Sequence, residues 1–229
     1  MRGWMVTTVS GAVLALCLGT NARAGIVFSD DFESTVNTRN WQVYQQISDG
    51  RWRSTQGTGI EVQTSGTVVN AQSGNQYIEL DSSRHRGGTG DASLTNSAMT
   101  RTLTGLSAGD YRLEYYYQPR TDTTGDNTVG VYFDSGPLFS TLVDQANGVG
   151  ANGWLKRTTT FLVGEDGATR HLSFRGEGIE NSLGGFVDTV SLSYLGGPDS
   201  GSGRVPEAPA LGFIGLALAF AARRRRHRR

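Results

Sequence analysis

Apolar and polar residues alternate in short runs through the middle of this chain, and glycine, asparagine and aspartate break the runs. Gln76–Leu80, Tyr111–Tyr117, Thr128–Phe133, Thr158–Val163, His171–Phe174 and Phe186–Tyr194 are examples. Successive side chains of a strand point to opposite faces, so Tyr111, Leu113, Tyr115 and Tyr117 share one face. Turn-forming residues punctuate the runs at Ala108-Gly109-Asp110, Gly125-Asp126-Asn127 and Glu165-Asp166-Gly167. Between Gly25 and Arg204 no stretch carries a helical stripe, and there is no internal repeat of fixed period. Many short strands without helices predict an all-β fold, a two-sheet β-sandwich.

Two longer apolar runs stand outside this pattern, one at each end. Near the start, Arg2 precedes an apolar run from Val9 to Leu18, and Ala22-Arg23-Ala24 places small residues where signal peptidase needs them. Residues 1–24 thus read as a secretory signal peptide, with cleavage leaving Gly25 first. The run is too short to span a membrane comfortably. The single cysteine, Cys17, lies inside it behind Leu16, and a lipoprotein signal needs a small residue there. With the signal removed no cysteine remains, so the folded domain does without disulfides even in an oxidising compartment.

At the other end, residues 196–204 form a Gly/Ser/Pro linker by composition. Val205-Pro206-Glu207-Ala208-Pro209 follows, then an apolar run over 210–222 and an arginine-rich tail over 223–229. As a helix that run reaches about 20 Å, against a hydrocarbon core of about 30 Å. Local bilayer thinning and snorkelling arginines close the gap, and the basic tail sets a cytoplasmic end. Motif, short helix and basic tail together resemble the PEP-CTERM sorting signal of Gram-negative bacteria. The resemblance covers 205–229 and implies an inner-membrane-anchored precursor processed by an exosortase. It further implies a mature form in the outer envelope or extracellular matrix, associated with exopolysaccharide. The sequence departs from the family in having Pro-Glu-Ala-Pro where the pattern is Pro-Glu-Pro.

Charge sharpens this division. The whole chain balances 21 basic against 21 acidic residues, but Gly25–Arg204 holds 13 basic and 20 acidic, a net charge of −7. The positive charge belongs to the two membrane addresses. An acidic domain favours solubility and cations and disfavours nucleic acid.

The order of four segments in the domain resembles the galactose-binding-like jelly-roll domains of secreted plant and bacterial proteins. The segments are Asp30-Asp31-Phe32-Glu33 with Trp41, Gly74–Asp81, Leu106–Leu113 leading to Pro119-Arg120, and Asn181–Leu192, with Trp154–Phe161 between the last two. The resemblance spans residues 25–195. It implies a carbohydrate-binding or cell-surface role, and a structural Ca2+ where the first and last strands meet, with Asp31, Glu33 and Asp188 as candidate ligands.

Sugar binding needs flat aromatic faces and a few fixed polar groups. The candidates are Trp52, Arg53, Arg84, His85, Arg86, Tyr116, Arg120 and Trp154, with Trp41 and Tyr44 beside them. Core packing is the competing role for Trp41 and Trp154, and a solvated loop is the competing role for Arg84-His85-Arg86. Catalysis has little support: there is no Gly-x-Ser-x-Gly elbow, HExxH helix or phosphate loop. Carboxylates abound, but nothing in the sequence selects a glycosidase pair. Asp122–Asn127 lacks the glycine and distal glutamate of a calcium loop and reads as a hairpin turn. The sequence thus favours an exported, non-enzymatic carbohydrate-binding or matrix protein. Its expected partners are signal peptidase, an exosortase and a polysaccharide. A structural or adhesion protein without a sugar site, and a polysaccharide-active enzyme, are the alternatives.

Overall fold

The computed structural model describes residues 25–83, 93–134, 140–150 and 153–197. The signal peptide, the loop holding Arg84, His85 and Arg86, and the sorting signal lie outside the described residues. Among the described residues there is no helix, and none long and apolar enough to cross a membrane.

Thirteen strands carry the fold: β1 Gly25–Asp30, β2 Trp41–Tyr44, β3 Gln46–Ile47, β4 Trp52–Gln56, β5 Ile60–Thr64, β6 Gln76–Glu79, β7 Ala98–Leu106, β8 Gly109–Gln118, β9 Val129–Asp134, β10 Ser140–Ala146, β11 Leu155–Val163, β12 Ala168–Gly176 and β13 Phe186–Gly196. They form two antiparallel sheets. The seven-stranded sheet runs β11-β8-β13-β6-β5-β2, with β1 also paired to β13. The six-stranded sheet runs β10-β9-β12-β7-β4-β3. The expected β-sandwich is therefore the observed architecture.

Alternation dictates the core. Tyr111, Leu113, Tyr115 and Tyr117 of β8 all point inward and are at most 1% exposed. From the facing sheet come Val129, Val131, Leu172, Phe174, Met99 and Trp52. A buried tyrosine hydroxyl needs a partner, and each of the three finds one at the rim. Tyr111 donates to Ser107 O, Tyr115 to Asp144 Oδ2 and Tyr117 to Asn127 O.

The turn signals prove to be corners between the sheets. The segments 107–108, 119–128 and 164–167 each carry the chain from one sheet to the other. Asp122–Asn127 is therefore not the expected hairpin, because β8 and β9 belong to different sheets. Two corners bind each other: Ala108 N donates to Asp166 Oδ1 and Gly167 N to Leu106 O. Gly109 has φ of +143°, and a side-chain carbon there would sit 2.3 Å from Gly196 O. Only glycine fits that approach.

Candidate functional site

Each sheet has an outer face, and the two differ. On the seven-stranded sheet the outward residues Glu61 and Gln63 of β5, Tyr77 and Glu79 of β6 and Phe186 and Asp188 of β13 are nearly or fully buried. The segment between β5 and β6 roofs Tyr77 and Asp188, while Ser83, Arg120 and Gly184 close over Glu61 and Glu79. Tyr77 Oη accepts the N–H groups of Val68 and Val69 and donates to Gln63 Oε1. Asp188 Oδ2 accepts those of Gln72 and Ser73. Half-buried Trp154 packs edge-on against Tyr77, 5.9 Å between centroids, and donates its indole N–H to Asn70 O.

Beneath the roof, Glu61 and Glu79 stand directly opposite each other in the strand register. Arg120 Nη1 lies 2.5 and 2.6 Å from the two Glu79 oxygens. Gln63 Nε2 bridges both carboxylates, Gly184 N donates to Glu79 Oε1 and Ser83 N to Glu61 Oε2. Burial first, and the mutual repulsion of two carboxylates second, push Glu79 well above the usual carboxylate range, against the pull of Arg120. Burial likewise raises Glu61.

Among the described residues no segment roofs the outer side of the six-stranded sheet, although Ser173 on it is 6% exposed. Its core residues alternate with Arg53 of β4, Thr100 of β7, Ser173 of β12 and Tyr132 of β9, and the register places these four in one row across four strands. Neighbouring strands lie about 4.8 Å apart, so the row is about 15 Å long. Hydroxyls link along it: Thr55 Oγ1 to Thr100 Oγ1 at 2.9 Å, and Thr100 Oγ1 to Ser173 Oγ at 2.8 Å. Thr55, Gln56, Ala98, Thr100, His171, Ser173 and Arg175 line a shallow groove of about 350 Å3 here. At one end the Arg175 guanidinium lies 4.2 Å over the Tyr132 ring. Glu177 accepts the Tyr132 hydroxyl and the Gln145 amide. A side-chain carbon at Gly130 would sit 2.6 Å from the Glu177 carboxylate, so this glycine makes room for the anchor. The outcome is an aromatic–guanidinium platform, anchored by Glu177, beside a line of fixed hydroxyls.

The sequence candidates scatter over this frame. Arg53 is exposed in the open row. Tyr116 and Trp154 are half-buried on the roofed sheet, where Tyr116 is in register with Asp188. Arg120 is committed to Glu79 and to Ser182 O. Trp52 corrects the expectation of a sugar platform: it is 0% exposed, ringed by Phe28, Phe32 and Phe174, and its indole N–H is bound to Asp30 Oδ2 at 3.1 Å. Alternation along β4 turns Trp52 inward and Arg53 outward, and the core takes the larger apolar surface. Tyr132, Arg175 and the hydroxyl row escaped sequence reading, because only the cross-strand register brings them together.

Of the expected calcium ligands, Asp31 is exposed and caps Glu33 N. Glu33 Oε1 holds the N–H groups of Asn75 and Gln76, and Asp188 those of Gln72, Ser73 and Thr189. Glu33 and Asp188 thus clamp the backbone over 72–76, while Asp31 caps its own turn. Among the described residues no three His, Cys, Asp or Glu side chains gather as metal ligands.

No family model matches the chain, and no curated protein matches it. Among solved structures it is similar to a cyclase from Fischerella sp. TAU in complex with 4-(1H-indol-3-yl)butan-2-one, at 14% identity and TM-score 0.49, covering 73% of this chain and 94% of that one. It is similar to the xylan-binding domain from CBM 22 at 16% identity and TM-score 0.47, covering 76% and 96%. It is also similar to the C-terminal family 22 carbohydrate binding module of Clostridium thermocellum Xyn10B, at 15% identity and TM-score 0.46, covering 74% and 94%.

Proposed function

We propose that this domain binds carbohydrate on the outer face of its six-stranded sheet. The observation that carries the reading is the row Arg53–Thr100–Ser173–Tyr132, backed by the Arg175–Tyr132 stack. Sugar hydroxyls both donate and accept, and so do the hydroxyls of this row. Arginine adds several fixed donors, and a ring edge or guanidinium plane gives the C–H face of a pyranose something to pack on. The row is long enough for a short stretch of polysaccharide. Open, wet grooves of this kind bind through water as well as directly.

In this reading the chain is an exported galactose-binding-like jelly-roll protein, delivered by the signal peptide and processed through the motif Val205–Pro209 by an exosortase-type system. The sorting features of the two ends support export, and the net −7 of the domain disfavours nucleic acid as a partner. A glycan array probed with the protein tests the binding. Tyr132→Ala and Arg175→Ala should each weaken binding at least about tenfold, the loss of one good contact. Binding unchanged in both variants would overturn the site, and no binding to any glycan would favour the structural or adhesion role. N-terminal sequencing of the exported form should begin at Gly25.

A further inference from the structure

A second feature lies at the end of the sandwich where β6 runs out and β7 begins. Asp81 and Asn96 face each other there across an isolated antiparallel bridge. Directly opposed residues hold their side chains on the same side, with Cβ atoms about 5 Å apart. Both are buried, Asp81 to 1% and Asn96 to 8% exposure. Asp81 Oδ2 accepts the N–H groups of Asn181 at 3.1 Å and Leu183 at 3.0 Å. Asn96 Nδ2 donates to Gly178 O at 2.7 Å, which fixes the amide and turns Oδ1 away from that carbonyl. That leaves Asp81 Oδ1 and Asn96 Oδ1, both buried and both without a hydrogen-bond partner.

Two buried lone-pair oxygens on paired residues, one of them a carboxylate's, are costly without something positive between them. Among the described residues Asp81 is in no ion pair. A second buried carboxylate, Asp126 at 2% exposure, is tied to the same loop through Asn181 Nδ2 at 2.8 Å and adds negative charge. Gly176 keeps carbon out of the space beside Asn96 Oδ1. A side-chain carbon there would lie 2.9 Å from Asn96 Oδ1 and 2.2 Å from the Leu80 carbonyl.

We propose that Asp81 and Asn96 hold a hard divalent cation, calcium by chemistry, at this bridge. Calcium takes carboxylate, amide and carbonyl oxygens together in flexible geometry and completes its shell with water. The ion would join the end of β6 and the start of β7 to the loop 178–183. This set is distinct from Asp31, Glu33 and Asp188, whose oxygens hold backbone N–H groups.

Calcium titration of the EDTA-treated full chain, read by thermal unfolding, is the test. At a calcium concentration about one hundred times Kd the Tm should rise by about 5 to 10 °C. Asp81→Asn should abolish the rise, while Asp188→Asn should retain it. Terbium luminescence supplies a readout that does not depend on stability: Tb3+ should bind the parent protein and be displaced by Ca2+, and Asp81→Asn should lose that signal. No calcium-dependent shift and no terbium binding would overturn the proposal and leave a buried water between the oxygens. A shift lost in Asp188→Asn but kept in Asp81→Asn would overturn it in favour of the other carboxylates.

Discussion

Replacing Arg120 by methionine should expose how the roofed sheet is held. Arg120 Nη1 serves both oxygens of Glu79, which is 0% exposed, while the guanidinium side chain is 20% exposed. Methionine keeps much of the side-chain volume but leaves the Glu79–Glu61 pair without its cation. Removing one partner of a buried ion pair costs about 3–5 kcal/mol. The carboxyls can relieve that cost by taking a proton, so the loss depends on pH. Glu79 is already raised by burial and by Glu61, which makes this group's contribution favourable at low pH and lost as pH rises through the folded-state value. Without Arg120 the folded-state value climbs further, so the variant's deficit is largest near pH 7.5 and shrinks on acidification. Near pH 4.5 it should approach about 1 kcal/mol, the worth of the remaining hydrogen bonds. Urea unfolding of both proteins at pH 7.5, 6 and 4.5 measures the deficit. A second variant, Glu79→Gln with Arg120→Met, removes both charges and should recover part of the loss at pH 7.5. A deficit below about 1 kcal/mol at pH 7.5, or one that does not change with pH, would refute the reasoning.

Trp52→Ala should cost about 3–5 kcal/mol in the same urea assay, because it empties a site between Phe28, Phe32 and Phe174 and leaves Asp30 Oδ2 with Arg101 alone; a stable variant with lost glycan binding would restore Trp52 as a ligand group. Asp188, pushed up to about 6 by burial from an ordinary 3.8, favours folding below pH 3.8 and loses that contribution as pH rises through 6. The change is at most about 3 kcal/mol, and Asp188→Asn should flatten the stability profile over that range. Gly109→Ala should fail to reach native stability, since its new carbon meets Gly196 O at 2.3 Å in a left-handed backbone, whereas Gly125→Ala, with open space around it, pays only the backbone cost.

The sequence made the sandwich readable where burial was one-sided. In β8, with one face in the core, the Tyr-x-Leu-x-Tyr-x-Tyr spacing marks the buried side without ambiguity. In β5 and β6 the same logic fails: Glu61, Gln63 and Glu79 look solvent-facing but are buried, by the segment between the two strands and by Arg120 and Gly184 from later in the chain. The orientation of Trp52 was hidden for a related reason: its polar partner Asp30 is 22 residues away, so a tryptophan in a polar segment resembled a surface platform. The hydroxyl row was the least legible. Thr55, Thr100, Ser173 and Tyr132 are ordinary strand residues until four strands are set in register, and no local spacing encodes that register.

The contrast between the faces bears on where a ligand can dock. A roof over the seven-stranded sheet satisfies each buried acid with a backbone N–H, an amide or Arg120, so a ligand entering there would have to displace about as many hydrogen bonds as it made. The outer row of the six-stranded sheet is built differently. Its hydroxyls bond one another and its Arg175 lies on Tyr132. In the proposed binding mode the side-chain ordering cost at this face is reduced, because Glu177 already holds Tyr132. Glu177→Gln should keep the fold and the groove residues but loosen the Tyr132 hydroxyl, raising the dissociation rate of a bound glycan more than it lowers the association rate. Equal changes in both rates, measured by surface plasmon resonance, would show that Glu177 does not order this face.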